Sequence, residues 1–481
     1  MKIKLRITAL CFICLLSGGL KAQDGEFSDV EILQHRTDVL ESAVKTLQKL
    51  KVSGYIQTQY QYAEAVADGI NFKLANRANA YESNSYYPGS TDYKGFDSFN
   101  RFGIRRGRIK FTYEEGIVSG VAQIDITDKG IGDGALSEQG RNVVMFKDLY
   151  LNVKDPWFGT SALRAGIFDR PFGYEIAYSS SRRESPERAR IFQTLFPDER
   201  DLGAMLILQP AKTSKWNFLK LEAGLFAGNG IKPQIDSHMD FIGHLSAVKI
   251  FDNTMSLSGG VSLYMGGVLQ QDSSIYVMSD NRFILESKSR NNIGKSAKRQ
   301  YIGFDAQFSM MTETAGLTQL RGEYIFGEHP GTASGSYNFK LTGIQNNPVY
   351  MRKVSGGYVM LVQDLGKTPF SAVVKYDWYN PNTGVSGDDI ASDDVIKNST
   401  DKKTNAVGTT GDIAMSNIGL GLLWRINPAL KATAYYDIVS NETTKNSKNG
   451  TVSDTDNRIT KYGWEGNRPD NVFTLRLQYA F

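Results

Sequence analysis

Cysteine is nearly missing from this chain of 481 residues, which has only Cys11 and Cys14, both close to its start. Beyond them a disulfide scaffold, a cysteine-based metal site and a thiol nucleophile are all excluded. Histidine is almost as scarce: His35, His238, His244 and His329 are scattered, and no HExxH pair, GxSxG elbow or Walker loop occurs. The sequence therefore reads as that of a protein that is not an enzyme and needs no cofactor. After the first residues there is no run near the roughly 18 consecutive apolar residues of a membrane-spanning helix. A lasting surplus of one charge is missing too, because 55 Lys plus Arg face 51 Asp plus Glu. Without Lys2, Lys4, Arg6 and Lys21 the cations equal the 51 acids in number, so no basic excess argues for nucleic-acid binding.

What the chain does have begins with MKIKLRITALCFICLLSGGLKAQ. Basic residues, the apolar run Ile7 to Leu16 and small residues before Ala22 predict a secretory signal peptide over residues 1–22. The run is too short to anchor the chain in a bilayer of about 30 Å, and neither cysteine follows the small residue that lipoprotein cleavage requires. Next comes SDVEILQHRTDVLESAVKTLQKLK, with a capping box at Ser28 and Glu31. Val30, Leu33, Thr37, Leu40, Val44 and Leu47 follow at heptad spacing. Residues 23–50 are predicted to form a short periplasmic helix. An isolated helix of this length is marginal, so its apolar stripe packs either on its own domain or in a self-associating coiled coil.

From Lys51 to Phe481 the period changes to two, in a region rich in glycine and aromatics, which suits a large antiparallel β structure. Sixteen alternating stretches are predicted: 51–63, 101–114, 117–128, 143–154, 161–170, 202–210, 216–228, 240–251, 254–267, 299–311, 317–328, 350–365, 368–380, 413–426, 429–441 and 470–481. Each is long enough for a tilted membrane strand of about 9–11 residues. The connections alternate between tight turns, such as Glu115-Gly116 and Gly366-Lys367, and long polar loops, such as 64–100, 171–201, 268–298, 381–412 and 442–469. That pattern points to a sixteen-stranded antiparallel transmembrane β-barrel over residues 51–481, set in the outer membrane against lipid. The closing stretch NVFTLRLQYAF illustrates the two faces: Phe473, Leu475, Leu477, Tyr479 and Phe481 share one side, and Arg476 lies on the other.

Two basic regions are candidates for the pore. In FGIRRGRIKFTY, Ile109, Phe111 and Tyr113 mark the outward face, so Arg106, Arg108 and Lys110 are expected to project together into the lumen. Either they conduct anions, or they pair with Asp125, Asp148 or other wall acids and brace the barrel. Arg164, in the fifth stretch, is a further candidate lining residue. The following segment carries Arg182, Arg183, Arg188, Arg190 and Arg200, and its Tyr174, Tyr178, Phe192, Leu195 and Phe196 predict that it folds inward and narrows the pore. Inward positions also hold Glu222, Glu323, Asp377 and Asp437, which makes the lumen mixed in charge. The acidic run Gly387-Asp388-Asp389 to Asp393-Asp394 lacks EF-hand spacing and is read as a solvated loop cluster.

GIFDRPFG, LFPDERDLG, the RRGRIKF strand and the terminal aromatic residue resemble the phosphate-selective porin O and P family of outer-membrane channels. The resemblance implies a sixteen-stranded barrel, a homotrimer, an inward third loop, and arginines that guide small anions such as phosphate. It also implies that Phe481 serves as an assembly signal. A general porin for small nutrients, a barrel enzyme and a surface adhesin are the alternatives.

Overall fold

A computed structural model describes residues 49–64, 99–126, 144–197, 199–252, 254–332, 347–387, 390, 410–442 and 471–481. The predicted signal peptide and periplasmic helix, and most of the acidic run, lie outside the described residues. The strands are β1 Leu50–Ala63, β2 Phe99–Glu115, β3 Val118–Ile126, β4 Val144–Lys154, β5 Ser161–Asp169, β6 Arg200–Leu208, β7 Leu219–Phe226, β8 Asp240–Phe251 and β9 Met255–Leu269. They continue with β10 Ser274–Ser279, β11 Arg282–Lys288, β12 Ser296–Thr312, β13 Gly316–Gly331, β14 Val349–Asp364, β15 Phe370–Asn380, β16 Met415–Arg425, β17 Leu430–Asn441 and β18 Val472–Ala480.

All of these except β10 and β11 form the wall, in which each strand runs antiparallel to its neighbour in sequence and β9 pairs with β12. The wall closes where β1 meets β18, from Tyr55 opposite Ala480 to Ala63 opposite Val472. At that seam Gly54 and Phe481 exchange both backbone bonds, at 2.8 and 2.9 Å. A Cβ at Gly54 would strike the Phe481 ring, so the bare backbone is what lets the last residue close the ladder. Closure leaves no edge of unpaired amides and carbonyls facing hydrocarbon, where each would cost several kcal/mol, roughly. The sixteen predicted stretches coincide with the sixteen wall strands, and the long connections share one end because the strand direction alternates.

The two-residue period sorts the side chains as the sequence suggests. Leu420, Leu422 and Trp424 on β16, with Val374 and Tyr376 on β15, are exposed on the outer face, while Lys375, Asp377 and Thr433 are buried within. Outward aromatics stack in two groups. Phe370 lies 5.8 Å from Trp424 near the short turns, and Tyr376 lies 5.5 Å from Trp378 near the long loops. Such paired belts are the interfacial girdles of a membrane barrel. The connection between β9 and β12 holds an additional hairpin, β10–β11, which alternation does not predict. It pairs in parallel with the start of β14, and Tyr276 stacks on Tyr350 at 4.7 Å.

An arginine placed on the lipid face tests this orientation. Leu420→Arg, at the middle of β16, is expected to cost about 2–4 kcal/mol, measured by urea unfolding of the barrel in vesicles; no loss would place that face away from lipid.

Candidate channel and its inward loop

The loop of residues 170–199, between β5 and β6, folds into the barrel because the wall offers it both polar and apolar seats. Gly173 has φ +63°, a left-handed conformation that glycine adopts without strain. The turn aims successive amides at the wall: the Gly173 N–H donates to Ser262 Oγ at 2.8 Å, and those of Tyr174 and Glu175 donate to the Glu323 carboxylate at 2.9 and 2.6 Å. The Tyr358 hydroxyl donates to the same carboxylate at 2.9 Å. Glu323, one of the inward acids seen in the sequence, is thus engaged in holding the loop.

Beyond this anchor the loop has an apolar underside. Phe172, Ile176, Ile191, Phe192, Leu195 and Phe196 are buried against the wall residues Tyr264, Tyr301, Ile325, Val354, Tyr358 and Tyr379. Phe196 lies 4.8 Å from Phe172 and edge-on to Tyr301 at 5.7 Å. Each such side chain contributes roughly 1.5–3 kcal/mol by leaving water. The one helix described in the loop, α1 (Arg190–Leu195), has no side-chain cap at Ala189; the wall caps it instead, the Arg190 N–H donating to Asp377 Oδ1 at 3.0 Å. Tyr174 and Tyr178 are half-buried and stack on each other at 5.1 Å, with the Arg321 guanidinium over Tyr178 at 4.8 Å.

Charge fastens the loop's other side. Glu187 accepts from Arg105 at 2.7 and 2.8 Å, from Arg106 at 3.3 Å and from Arg476 at 3.2 Å. Burial opposes its ionisation, yet Arg105, Arg106 and Arg476 hold its carboxyl well below the usual carboxylate range. Glu199 pairs with Arg188, with Lys147 at 3.2 Å and with Arg200 at 2.7 Å. Burial likewise works against its ionisation, and Arg188, Lys147 and Arg200 pull the carboxyl well below its ordinary value. Arg200 reaches on to Asp148 at 2.8 Å, while Glu184 pairs with Arg321. Lys431 donates to the carbonyls of Ser181 and Arg183 at 3.2 and 2.9 Å.

Beside the loop an open space reaches solvent. Its lining includes Arg101 and Arg105 of β2, Arg188 and Arg190 of the loop, and Lys375 of β15, facing Glu187, Asp377 and Asp437. Of the residues selected from the sequence, Arg188 and Arg190 line this space, as does the inward acid Asp437. Arg106 and Arg108 point inward but are 4% and 7% exposed. Arg108 pairs with Asp125 at 2.8 Å and donates to Ser180 Oγ at 2.9 Å, the bracing arrangement. Lys110 is half-buried on β2. Arg164 lies over the rings of Tyr150 and Phe168, at 4.8 and 5.7 Å. Arg182 is exposed on the loop. Arg183 is buried, with none of its guanidinium nitrogens hydrogen-bonded among the described residues, and burial and then Arg188 push it down to about 10, so it stays charged at neutral pH.

The sequence does not single out Arg101, Arg105 and Glu187 as lining residues, whereas the alternation of β15 does put Lys375 on the inward face. Consecutive residues Arg105 and Arg106 both reach Glu187, so the alternation of β2 slips by one at that point. Counting in twos back from Arg106 assigns Arg105 and Arg101 to the lipid face, and only the slip brings them inward.

The seat of the loop is testable at its first turn. In Gly173→Ala a Cβ would collide with the Glu323 carboxylate at a left-handed φ, a strain of about 1–2 kcal/mol. The loop is expected to lift, and single-channel conductance in planar bilayers to rise; unchanged conductance would separate the loop from the conducting path.

No protein-family model matches the chain, and no curated protein sequence does. Among solved structures it is similar to an anion-selective porin from Comamonas acidovorans, with TM-score 0.46 and 11% identity over 90% of this chain and 99% of that one. It is similar also to the outer membrane channel DcaP of Acinetobacter baumannii, with TM-score 0.45 and 9% identity over 90% and 97% of the two chains. Salmonella typhi OmpF in complex with daunomycin gives TM-score 0.47 and 10% identity over 90% and 97%. These are distant likenesses.

Proposed function

We propose that the barrel is a passive outer-membrane channel, not an enzyme, through which small solutes diffuse with a preference for anions, phosphate among them. The observation that carries this reading is the passage beside the inward loop. Its lining offers five cationic side chains, Arg101, Arg105, Arg188, Arg190 and Lys375, against the three carboxylates of Glu187, Asp377 and Asp437. A narrow opening walled by low-dielectric protein focuses such an excess, raising the local concentration of oppositely charged solutes. Arg183, charged and without a hydrogen-bond partner among the described residues, adds to the positive field of the same loop. The resemblance to the phosphate-selective porin O and P family points the same way and adds a homotrimeric assembly.

A second reading, a general porin for small nutrients, is favoured by Asp377 and Asp437, which bring negative charge to the wall of the passage. Reversal potentials in planar bilayers under a potassium chloride gradient separate the two. Chloride is expected to permeate better than potassium, phosphate to reduce chloride current, and Arg188→Ala with Arg190→Ala to weaken both effects. Equal permeabilities without phosphate competition would favour the general porin, and cation selectivity or no conductance would overturn the anion channel.

A further inference from the structure

Several inward cations among the described residues have a carboxylate partner away from the passage, as Arg108 has Asp125 and Arg299 has Asp240. Glu187 departs from that pattern, because one carboxylate serves three guanidinium groups and does so on the lining itself. Oε1 accepts from Arg105 Nε at 2.7 Å and Arg476 Nη2 at 3.2 Å, while Oε2 accepts from Arg105 Nη2 at 2.8 Å and Arg106 Nη2 at 3.3 Å. The side chain of Glu187 is 22% exposed, against 5% for Arg106 and 7% for Arg476. Arg105 is as exposed as Glu187, at 22%, so a permeating ion meets that pair side by side, with Arg106 and Arg476 behind it. The main chain is fixed as well: Arg476 Nη1 donates to the Pro186 carbonyl at 2.7 Å, and Lys375 Nζ to the Glu187 carbonyl at 3.3 Å.

We propose that Glu187 is a specificity-determining residue, a built-in counter-charge that sets how strongly the passage favours anions by masking Arg105, Arg106 and Arg476. The proposal rests on the channel reading above. Opposite charges at these separations cancel much of each other's field at a distance, and a Debye length near 8 Å in physiological salt lets a passing ion sense what remains. The acid also lowers the repulsion among three arginines gathered at the β1–β18–β2 seam, so it fixes the loop and tempers its field with one group.

Reversal potential and single-channel conductance, measured together on the full-length barrel, test this. Glu187→Gln is expected to raise the anion-to-cation permeability ratio about twofold or more by adding one net positive charge to the lining. Conductance should change little, since Arg476 and Lys375 still hold the loop's main chain. The double variant Glu187→Gln with Arg105→Gln removes one charge of each sign and is expected to return the ratio close to the wild-type value. It also serves as the readout should the single variant fail to assemble. A ratio unchanged or lowered in Glu187→Gln, or a double variant whose ratio stays far from wild type, would overturn the proposal. A cation-selective wild-type channel would overturn the anion preference alone, leaving the direction of the Glu187→Gln shift readable.

Discussion

Closure of the backbone ladder between β1 and β18 is the constraint on which the rest of this structure depends. In hydrocarbon an unpaired amide or carbonyl has no water to turn to, so a sheet is tolerated there only when its last strand bonds to its first. The register from Tyr55 opposite Ala480 to Ala63 opposite Val472 meets that demand, and the Gly54–Phe481 pair completes it at the short-turn end. Once the wall is closed, the two-residue period divides each strand between two solvents. Leu420, Trp424 and Tyr376 meet lipid, while Arg476, Lys375 and Asp377 are carried inside.

The interior then faces the opposite difficulty, too many charges in too little water. Placing an inward loop there answers it. The loop brings Glu184, Glu187 and Glu199 to wall arginines and a lysine, and its apolar underside covers the inward tyrosines of β9, β12, β14 and β15. A buried ion pair adds little stability of its own, but an uncompensated partner is costly. The ion pairs therefore fix the position of the loop more than they add to the stability of the barrel. The open space beside the loop is lined by Arg101, Arg105, Arg188 and Arg190, of which Arg105 is paired with Glu187 and Arg188 with Glu199.

The wall was legible in the sequence because alternation is a local property repeated sixteen times. The inward course of the loop was legible too, since Phe192, Leu195 and Phe196 could not remain in water. The identity of the lining was less so, and for specific reasons. The phase slip between Arg105 and Arg106 reverses which residues of β2 face inward, and composition alone does not mark it. Glu187 shares its basic run with a second acid, Glu184, and its three partners come from β2 and β18, far apart in the chain. The β10–β11 hairpin is held by Tyr276 and Phe283 against Tyr350, contacts between distant segments that leave no periodic signature.

The central claim is that solutes cross beside the inward loop, along the basic lining. A thiol placed at Gln193, a lining residue on α1, tests it directly in a chain freed of Cys11 and Cys14. The current through Gln193→Cys is predicted to fall when a bulky, charged thiol reagent is added, and to recover on reduction. A current indifferent to the reagent, with the modification verified by mass, would contradict the account.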